Sequence, residues 1–477
     1  MPVRTLAYGL LFCALVACAS TESEGPDAPP ANAPDISSIA TLTDTNPDPN
    51  VVEVSLVAAP ATVEYLTGKT TDVWAYRDGA APAGTKATIP GPALRAKRGN
   101  EVIVHFKNEL PEPTTIHWHG LRLLAKMDGS TSTQASIPSG GTYEYRFRVE
   151  DAGTFWYHPH VRANEQIERG LYAPLLVTED DAVDVTADRT FVLDDVKLEA
   201  SGALSASSEA LDTMVGKQGN VLLVNGRRGG ALTVPQGARE RWRFVNAANG
   251  RYFNLRVPGR DLLVIGTDGG LVPVPYRADT VLMAPGERYE LLVSFDEPEG
   301  ARAVLETIHY DRGHELPDQG PRTLFDIEVR GRSERILRPV PAQLRTIAPL
   351  DLPAATVTKR FALQEREAPD GVIFSINGES WPFNAAIMVK QGATEIWEIE
   401  SPEEMDHPFH LHGMFFQILG ADGRPDLTRG WKDTVNVKRG TKLRFAVRYE
   451  PLGMWMFHCH ILEHAERGMM GELMVMQ

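Results

Sequence analysis

The chain has 477 residues, of which 43% are hydrophobic and 23% charged, with a formal net charge of −15 at pH 7. This length exceeds one hydrophobic core, so two to four domains are expected. The negative charge argues against a nucleic-acid partner, because counterion release needs a basic face. The 41 glycines and 34 prolines favour many short strands joined by turns.

The N-terminus predicts export. Residues 1–18 hold one arginine and then an apolar run that is too short to span a bilayer, which is typical of a secretory signal peptide. The segment LVAC fits a bacterial lipoprotein signal, in which Cys18 becomes the lipidated first residue, and a plain signal-peptidase cut after Ala19 also fits. Residues 19–50 are rich in Pro, Ala, Ser and acidic residues, so we expect a flexible linker. Either cut predicts a protein of the periplasm or cell envelope, and the lipoprotein cut adds a membrane anchor.

Beyond the linker, the sequence predicts three copies of one all-β plan. Strand-like alternation recurs, and there is almost no long stretch with the 3.6-residue period of a helix. A glycine followed by an alternating strand occurs at Gly99, Gly237 and Gly392. This recurrence predicts three β-sandwich domains of one type. Their expected bounds are 51–180, 185–335 and 345–477.

Ten of the 13 histidines fall in four short motifs. Side chains at i and i+2 of a strand project from the same face, so each His-x-His pair can bind one metal site. Two motifs lie in the first predicted domain and two in the third, whereas the second has none. They are His117-Trp118-His119, His158-Pro159-His160, His407-Pro408-Phe409-His410-Leu411-His412, and His458-Cys459-His460 followed by His464.

Cys459 is the one cysteine beyond the signal segment, so an exported chain has no internal disulfide to form. In a strand, His458 and His460 project to one side and Cys459 to the other, so this strand serves two metal sites. One thiolate, two imidazoles and a distant thioether make a blue-copper electron-transfer site. Zinc also binds cysteine and histidine, but it gives no reason for the thioether or the further histidines. The candidate ligands are His407, Cys459, His464 and Met469.

These motifs resemble the four copper-binding signatures of the multicopper oxidases, the laccase family. HWHG, FWYHPH, HPFHLHG and HCHILEHAERGM occur in the family's order, and the resemblance covers about residues 50–477. It implies an all-β chain of three consecutive cupredoxin-like Greek-key domains. It also implies four copper ions and the oxidation of a reduced substrate coupled to reduction of O2 to water.

Carried over by position, the resemblance implies a type 1 copper on the four candidate ligands above, with Met469 axial. It implies a type 2 copper on His117 and His410. Cys459 with its two histidine neighbours would be the electron relay, and the second domain would act as a spacer and substrate-groove wall. The implied ligands of the type 3 copper pair, from the first and third domains, are His119, His158, His160, His412, His458 and His460.

Forming water consumes protons, so carboxylates are expected near the trinuclear site. Asp128, nine residues after His119, matches an Asp-Gly of related bacterial enzymes and is the candidate for a proton pathway. Those enzymes often place a glutamate after the second type 1 histidine, where this chain has Ala465. Glu466 is a second candidate, acting through water. Asp433 also matches a family position, which predicts a structural role or a place near the type 1 histidine.

The leading functional hypothesis is an exported laccase-type oxidase of phenolic or aromatic one-electron donors. An axial Met469 predicts a low-to-middle copper potential, because a weak thioether ligand lowers it relative to Leu or Phe. A cuprous-ion oxidase acting in copper tolerance is the alternative, although the chain has no long methionine-rich insertion. A copper-storage protein of the envelope without turnover is a third hypothesis. The expected partners are a small reducing substrate and O2, with no nucleic acid.

Overall fold

The computed structural model describes residues 35–180, 183–205, 210–314, 316–352, 357–368 and 371–477. The predicted signal segment, Cys18 and residues 19–34 of the predicted linker lie outside the described residues. Across the described ranges, no helix is long and apolar enough to cross a membrane.

The first part of the chain forms two four-stranded sheets, in the orders β2-β1-β4-β6 and β3-β8-β7-β5. In β4, alternate residues such as Val102, Val104 and Phe106 are buried, as a strand with one solvated face requires. The strands are β1 (Val51–Leu66), β2 (Lys69–Asp78), β3 (Leu94–Lys97), β4 (Glu101–Asn108), β5 (His117–His119), β6 (Thr142–Arg148), β7 (Gly153–His158) and β8 (Ala173–Thr178), with helix α1 (Ala163–Glu168) and a 3-10 turn (Ala125–Met127).

The middle part forms a six-stranded sheet, β10-β9-β12-β17-β14-β15, and a five-stranded sheet, β11-β19-β18-β13-β16. Its buried core contains Trp242, Phe191 and Phe325. The strands are β9 (Ala187–Val196), β10 (Val221–Val224), β11 (Ala231–Gln236), β12 (Ala238–Asn246), β13 (Phe253–Arg256), β14 (Leu262–Thr267), β15 (Gly270–Ala278), β16 (Val281–Met283), β17 (Arg288–Phe295), β18 (Arg302–Ile308) and β19 (Arg322–Arg332), with helix α2 (Ala210–Val215).

The last part forms two five-stranded sheets, β21-β20-β23-β27-β25 and β22-β29-β28-β24-β26. Its buried side chains share one continuous hydrophobic cluster with those of the first part, whereas most of the middle part has its own cluster. The strands are β20 (Lys359–Ala368), β21 (Gly371–Ile376), β22 (Ile387–Lys390), β23 (Thr394–Ser401), β24 (His407–Leu411), β25 (Phe416–Ile418), β26 (Thr434–Val437), β27 (Thr441–Arg448), β28 (Gly453–Cys459) and β29 (Met470–Met476), with helix α3 (Leu462–Glu466) and a 3-10 turn (Leu427–Arg429).

One strand pairing recurs in all three sheet pairs. In the first sheet of each pair, the opening strand pairs in parallel with a later strand: β1 with β4, β9 with β12, and β20 with β23. In the second sheet, β3 pairs in parallel with β8, β11 with β19, and β22 with β29. This is a Greek-key arrangement of the cupredoxin type, so the predicted fold class is confirmed. The predicted bounds 51–180, 185–335 and 345–477 stay a prediction.

The recurring glycine has a conformational reason. Gly99, Gly237 and Gly392 all have positive φ, at 93°, 76° and 78°, in the turns that lead into β4, β12 and β23. Glycine reaches this region without the steric penalty of a Cβ atom, so each copy of the plan uses it at the same turn.

The predicted flexible linker is wrong for residues 35–50. Ile36 is 1% exposed in the middle core, and the amide of Asn225 donates a hydrogen bond to its carbonyl at 2.8 Å. Leu42 is buried in the first core, and its N–H donates to the carbonyl of Ala93 at 3.0 Å. These two apolar residues dock a stretch whose composition alone suggests a solvated chain, because burial outweighs the entropy of ordering it.

Candidate metal centres

Strand register brings the four histidine motifs together. In the first part, β5 pairs antiparallel with β7 so that His117 lies opposite His158. In the last part, β24 pairs antiparallel with β28 so that His410 lies opposite His458. The same pairing sets Phe409 opposite Cys459. Strands β5, β7 and β24 are fully buried, as are Trp455–Cys459 of β28, so the histidine side chains on them lie in the protein interior.

Eight histidines, on these strands or within two residues of their ends, lie together between the first and last parts. His119 Nδ1 lies 3.5 Å from His158 Nε2, and His458 Nε2 lies 3.1 Å from His412 Nε2 and 3.4 Å from His160 Nε2. The possible metal-ligating groups share members, so the site is one cluster. They are His117, His119 and His410; His119, His158 and His460; and His160, His412 and His458.

The inner nitrogens of this cluster fit metal ions. His117 Nε2 and His410 Nε2 are buried and have no hydrogen-bond partner among the described residues, and neither ring nitrogen of His460 has one. A buried imidazole nitrogen without a partner is costly. Coordination of a metal by the lone pairs removes this cost, and the donor set of nitrogens alone suits copper.

The outer nitrogens are held by oxygen atoms. Histidines bound to a metal usually donate their second N–H to a carbonyl or carboxylate, which fixes the ring and its tautomer. Nδ1 of each of five cluster histidines lies 2.9–3.0 Å from such an oxygen. The pairs are His117 with Asp128 O, His158 with Pro159 O, His410 with Asp433 O, His412 with Asp128 Oδ2, and His458 with Cys459 O.

Asp128 holds two cluster histidines. Its Oδ2 accepts from His412 at 2.9 Å, and its Oδ1 lies 3.4 Å from His117 Nδ1. Burial by itself would raise the pKa of this carboxyl, but the electrostatic attraction of His412 and His117 and their hydrogen bonds hold that pKa well below its usual value. Asp128 is therefore an ionised acceptor, placed at the edge of the cluster where the sequence predicted an acid.

Asp433 also lies at the cluster, which agrees with the structural role predicted for it and not with the alternative, a place near the type 1 histidine. Its Oδ1 lies 3.3 Å from His119 Nε2, and its carbonyl accepts from His410. The guanidinium of Arg288 donates to both of its carboxylate oxygens, at 2.7 and 2.5 Å. Although burial favours the neutral carboxyl, the charge of Arg288 holds the pKa of Asp433 well below its usual range.

The middle part of the chain supplies Arg288 and further contacts to the cluster, none of which the sequence predicted. Arg288 begins β17, is fully buried, and also donates to the carbonyl of Thr154 in the first part at 3.1 Å. Asp268 binds the buried Lys432 at 3.0 Å. A Cβ on Gly286 would stand 2.8 Å from the His460 ring, so the backbone packs directly on that ligand. The middle part is thus more than a spacer. The sequence signal for its supporting residues is a run of charged residues in a strand-like segment, ERYELL.

The second site is a triangle of ligand atoms around Cys459. His407 Nδ1 and His464 Nδ1 lie 3.6 and 3.8 Å from Cys459 Sγ and 3.3 Å from each other. One ion at the centre, with bonds of about 2.0–2.1 Å to nitrogen and about 2.3 Å to sulfur at 120°, would place the two nitrogens about 3.5 Å apart. It would place each nitrogen about 3.8 Å from the sulfur. The triangle therefore fits one ion in trigonal geometry, the arrangement of a blue-copper site.

Met469 lies beside this triangle through its backbone. Its carbonyl accepts from the Cys459 N–H and its own N–H donates to the His464 carbonyl, both at 3.0 Å, and its side chain is fully buried. The ring of Phe374 stacks on His464 with centroids 3.9 Å apart. Nε2 of His464 donates a hydrogen bond to the carbonyl of Met214 in α2 at 3.0 Å. The middle part thus covers His464, which is buried.

Glu466 lies apart from both sites. Its Oε1 accepts from the Ala163 N–H at the start of α1 at 2.6 Å, and burial raises its pKa. It belongs to none of the possible ligating groups in the described part of the chain. Ala465, which occupies the position of the family's glutamate, packs in a small apolar cluster with Met456 and Met470.

A cupredoxin-like protein with a Cys-His-His site joined by one strand to an eight-histidine site has the form of a copper oxidase, and the comparisons with known proteins agree. Models of the multicopper oxidase family match residues 68–182, 192–315 and 352–477. The chain is 31% identical to multicopper oxidase mco of Staphylococcus haemolyticus, over 82% of this chain and 83% of that protein.

Solved structures give the same result. A multicopper oxidase from Campylobacter jejuni, described as a metallo-oxidase, has a TM-score of 0.80 at 26% identity and covers 92% of this chain and 94% of its own. The laccase-like multicopper oxidase CueO of Ochrobactrum sp. has a TM-score of 0.76 at 27% identity, over 92% of this chain and 100% of its own.

The chain therefore belongs to the multicopper oxidase family. It is a copper-dependent oxidoreductase that uses O2 as electron acceptor, and its copper complement is one type 1, one type 2 and two type 3 ions. The predicted enzyme class and cofactor are confirmed.

We expect the metal-free protein to lose stability in mild acid. Burial lowers the pKa of His160 and of His407 to about 3, below the value of about 6.5 in an unfolded chain. As pH falls below 6.5 the unfolded state takes up protons first. Each such histidine then lowers the free energy of unfolding by about 1.4 kcal/mol per pH unit. Urea unfolding of the metal-free protein from pH 7 to 4.5 measures this. A free energy of unfolding that stayed constant or rose as pH fell through this range would contradict the expectation.

Arg288→Met tests the support from the middle part. Removing one partner of a buried ion pair leaves Asp433 uncompensated and costs roughly 3–5 kcal/mol. We expect this loss in urea unfolding together with fewer coppers per chain, while the blue absorption of the Cys459 site remains. Arg277→Met is the control, because Arg277 is exposed and 3.8 Å from Asp261. Full copper retention in Arg288→Met would show that the ion pair between Arg288 and Asp433 is not needed to hold the cluster.

Proposed function

We propose that the chain is an exported, laccase-like oxidase of phenolic or aromatic one-electron donors. In this proposal His407, Cys459 and His464 hold the type 1 copper, with Met469 axial. His117 and His410 hold the type 2 copper. The type 3 pair is held by His119, His158 and His460 on one ion and by His160, His412 and His458 on the other.

The observation that carries this proposal is the shared strand. Cys459 belongs to the trigonal site, while the residues on either side of it belong to the eight-histidine cluster. A covalent path of a few bonds therefore joins the two sites. A storage protein has no use for such a path, whereas an enzyme that collects electrons singly and delivers them to O2 requires one.

When bound, the coppers supply single-electron uptake at the Cys459 site and O2 reduction at the cluster. Four phenols each lose one electron and one proton to become phenoxyl radicals, and one O2 takes four electrons and four protons to become two waters. Asp128 and Asp433 orient four of the cluster histidines, His117, His412, His119 and His410. We assign Asp128 to the proton pathway, because it is the ionised acceptor on two cluster rings.

Glu466 remains a second, weaker proposal for proton delivery. Burial raises the pKa of its carboxyl, which suits a donor, but its Oε1 is bound to the Ala163 N–H. Ala163 follows His160 by three residues, so this hydrogen bond links Glu466 to the segment that carries one cluster histidine. We also propose that residues 1–18 direct export and that Cys18 anchors the protein to a membrane.

A second candidate substrate is cuprous ion. Met214 contacts the type 1 ligand His464 through its carbonyl, and a thioether is a soft ligand of the kind that cuprous ion prefers. The related Campylobacter jejuni protein is described as a metallo-oxidase. O2 uptake by the copper-loaded protein, with a panel of phenols beside cuprous ion, separates the two. Uptake with neither would overturn the proposed oxidase.

Cys459→Ser should abolish both the blue absorption and turnover of every donor. The serine hydroxyl cannot supply the copper–thiolate bond, and the cluster then receives no electrons. Visible absorption and O2 uptake measure this, and the copper content of the cluster serves as the control for folding. A blue band that survived the substitution would place the type 1 site elsewhere.

Met469→Leu should raise the type 1 potential and keep the blue colour. Loss of a weak axial thioether destabilises the oxidised copper without removing the three equatorial ligands. Redox titration of the blue band measures the shift, and Met476→Leu, at an exposed methionine of β29, is the matched control. Loss of the colour in Met469→Leu, or no shift in potential, would rule out the axial assignment.

A further inference from the structure

A cavity of about 90 Å³ opens in the middle part, next to the type 1 site. Three arginines line it, Arg251, Arg312 and Arg322, together with His309. No carboxylate is among its described lining residues. By volume it can hold several waters or one small anionic group.

Arg312 is the unusual member of this group. Its side chain is 2% exposed, and Nη1 and Nη2 have no hydrogen-bond partner among the described residues. Among the described residues its guanidinium has one compensating contact, the Tyr252 ring, whose centroid lies 5.5 Å from Cζ. Burial lowers the pKa of Arg312 to about 10, so the guanidinium stays charged at neutral pH. A buried charge is ordinarily paired, and no residue in the described part of the chain pairs with this one.

The nearby acidic groups are already engaged. Asp195 accepts from Arg251 Nε at 2.5 Å. Glu463 accepts from the Lys217 N–H at 3.0 Å and from Asn249 at 2.9 Å. Among the described residues, Arg322 at the rim has only neutral partners, Gln319 at 3.2 Å and the Asn220 carbonyl at 3.4 Å. Asp318 faces the lining residue His309 at 3.8 Å, so Arg312 and Arg322 are the two cations of the cavity without a carboxylate partner in the described part of the chain.

The cavity walls reach the sequence neighbours of both histidines of the type 1 triangle. Tyr310, a lining residue, donates to Asp406 at 2.6 Å, and the Arg312 carbonyl accepts from the Asp406 N–H at 2.8 Å. Asp406 directly precedes His407. On the other side, the lining residue Gln218 follows Lys217, whose N–H is bound to Glu463, the neighbour of His464.

We propose that this cavity binds a small oxyanion group beside the type 1 site, with Arg312 as its principal partner, so that donors bearing a carboxylate or sulfonate are held where electrons enter. The group belongs either to the aromatic donor or to a free inorganic anion. A charge-assisted, bidentate contact to Arg312 supplies the missing partner of its guanidinium. The proposal that the anionic group belongs to the donor rests on the proposed oxidase function, whereas the proposal that the cavity binds an anion does not.

The test compares vanillate with guaiacol, which is the same phenol without the carboxylate. With the copper-loaded protein we expect a KM for vanillate roughly ten-fold below that for guaiacol. Arg312→Met should raise the KM for vanillate by roughly that factor, leave the KM for guaiacol unchanged, and leave kcat nearly unchanged. Arg312→Lys should restore part of the difference in KM between vanillate and guaiacol, because lysine keeps the positive charge but lacks the paired N–H donors of the guanidinium.

Inorganic sulfate separates the two sources of the anion. Calorimetric titration of sulfate into the copper-loaded protein should show binding that Arg312→Met abolishes and the control Arg277→Met retains. Sulfate should compete with vanillate and not with guaiacol. Sulfate binding without any effect of Arg312→Met on the KM for vanillate would assign the cavity to a free anion.

The outcomes stay distinct from those of the proposed function. If no phenol is turned over while sulfate binding still depends on Arg312, the oxidase proposal fails and the anion site stands. If neither sulfate nor vanillate binds the unsubstituted protein, or if binding is the same in Arg312→Met, the anion site is overturned. Should Arg312→Met fail to fold, Arg322→Met at the half-exposed rim gives the same comparison, with a smaller expected change in KM.

Discussion

The antiparallel pairing of β24 with β28 is the contact on which the whole site depends. It places His410 opposite His458 and Phe409 opposite Cys459. Because side chains alternate across a strand, one residue of β28 enters the trigonal site while its neighbours enter the cluster. A slip of one residue would turn all of them to the wrong face and disconnect both sites. The hydrophobic cluster shared by the first and last parts of the chain fixes this register, because Phe409, Phe457 and Trp397 pack in it.

The cluster concentrates groups that a protein interior disfavours, and its surroundings are arranged to hold them. Burial lowers the pKa of His119, His158, His160, His410, His412, His458 and His460, which favours their neutral forms. The two acids that orient them, Asp128 and Asp433, stay ionised because histidines and, for Asp433, Arg288 face them. Lys432 and Asp268 extend the charged network one layer further. A buried network of this kind is favourable only when every member is paired, so the middle part is required for the site although it offers none of its ligands.

Electron entry is set by what covers the type 1 triangle. His464 is closed off by Met214 and stacked on Phe374, so a donor approaches through the residues around it rather than on the bare ring. The arginine-lined cavity lies along the same wall, reaching the neighbours of both ligating histidines. If the proposed anion site holds, covering the ring and placing charge beside it would let the middle part select among donors without contacting the coppers. The part without metal ligands would then have a role in specificity as well as in support.

The sequence by itself determined the chemistry, and the tertiary structure decided its surroundings. The motifs carried the ligands because His-x-His and His-Cys-His in strands fix which faces their side chains share, and this needs only local geometry. The recurring glycines predicted the repeated β plan for the same reason, because the need for a positive φ arises from the local turn. Residues 35–50 were placed wrongly, and Arg288, Met214 and Arg312 were missed. Each of these residues acts through a partner distant in sequence, from Arg288 with Asp433 to Met214 with His464. Alternation and composition report only the neighbours of a residue along the chain, so contacts made by folding one part onto another are visible only in the folded protein.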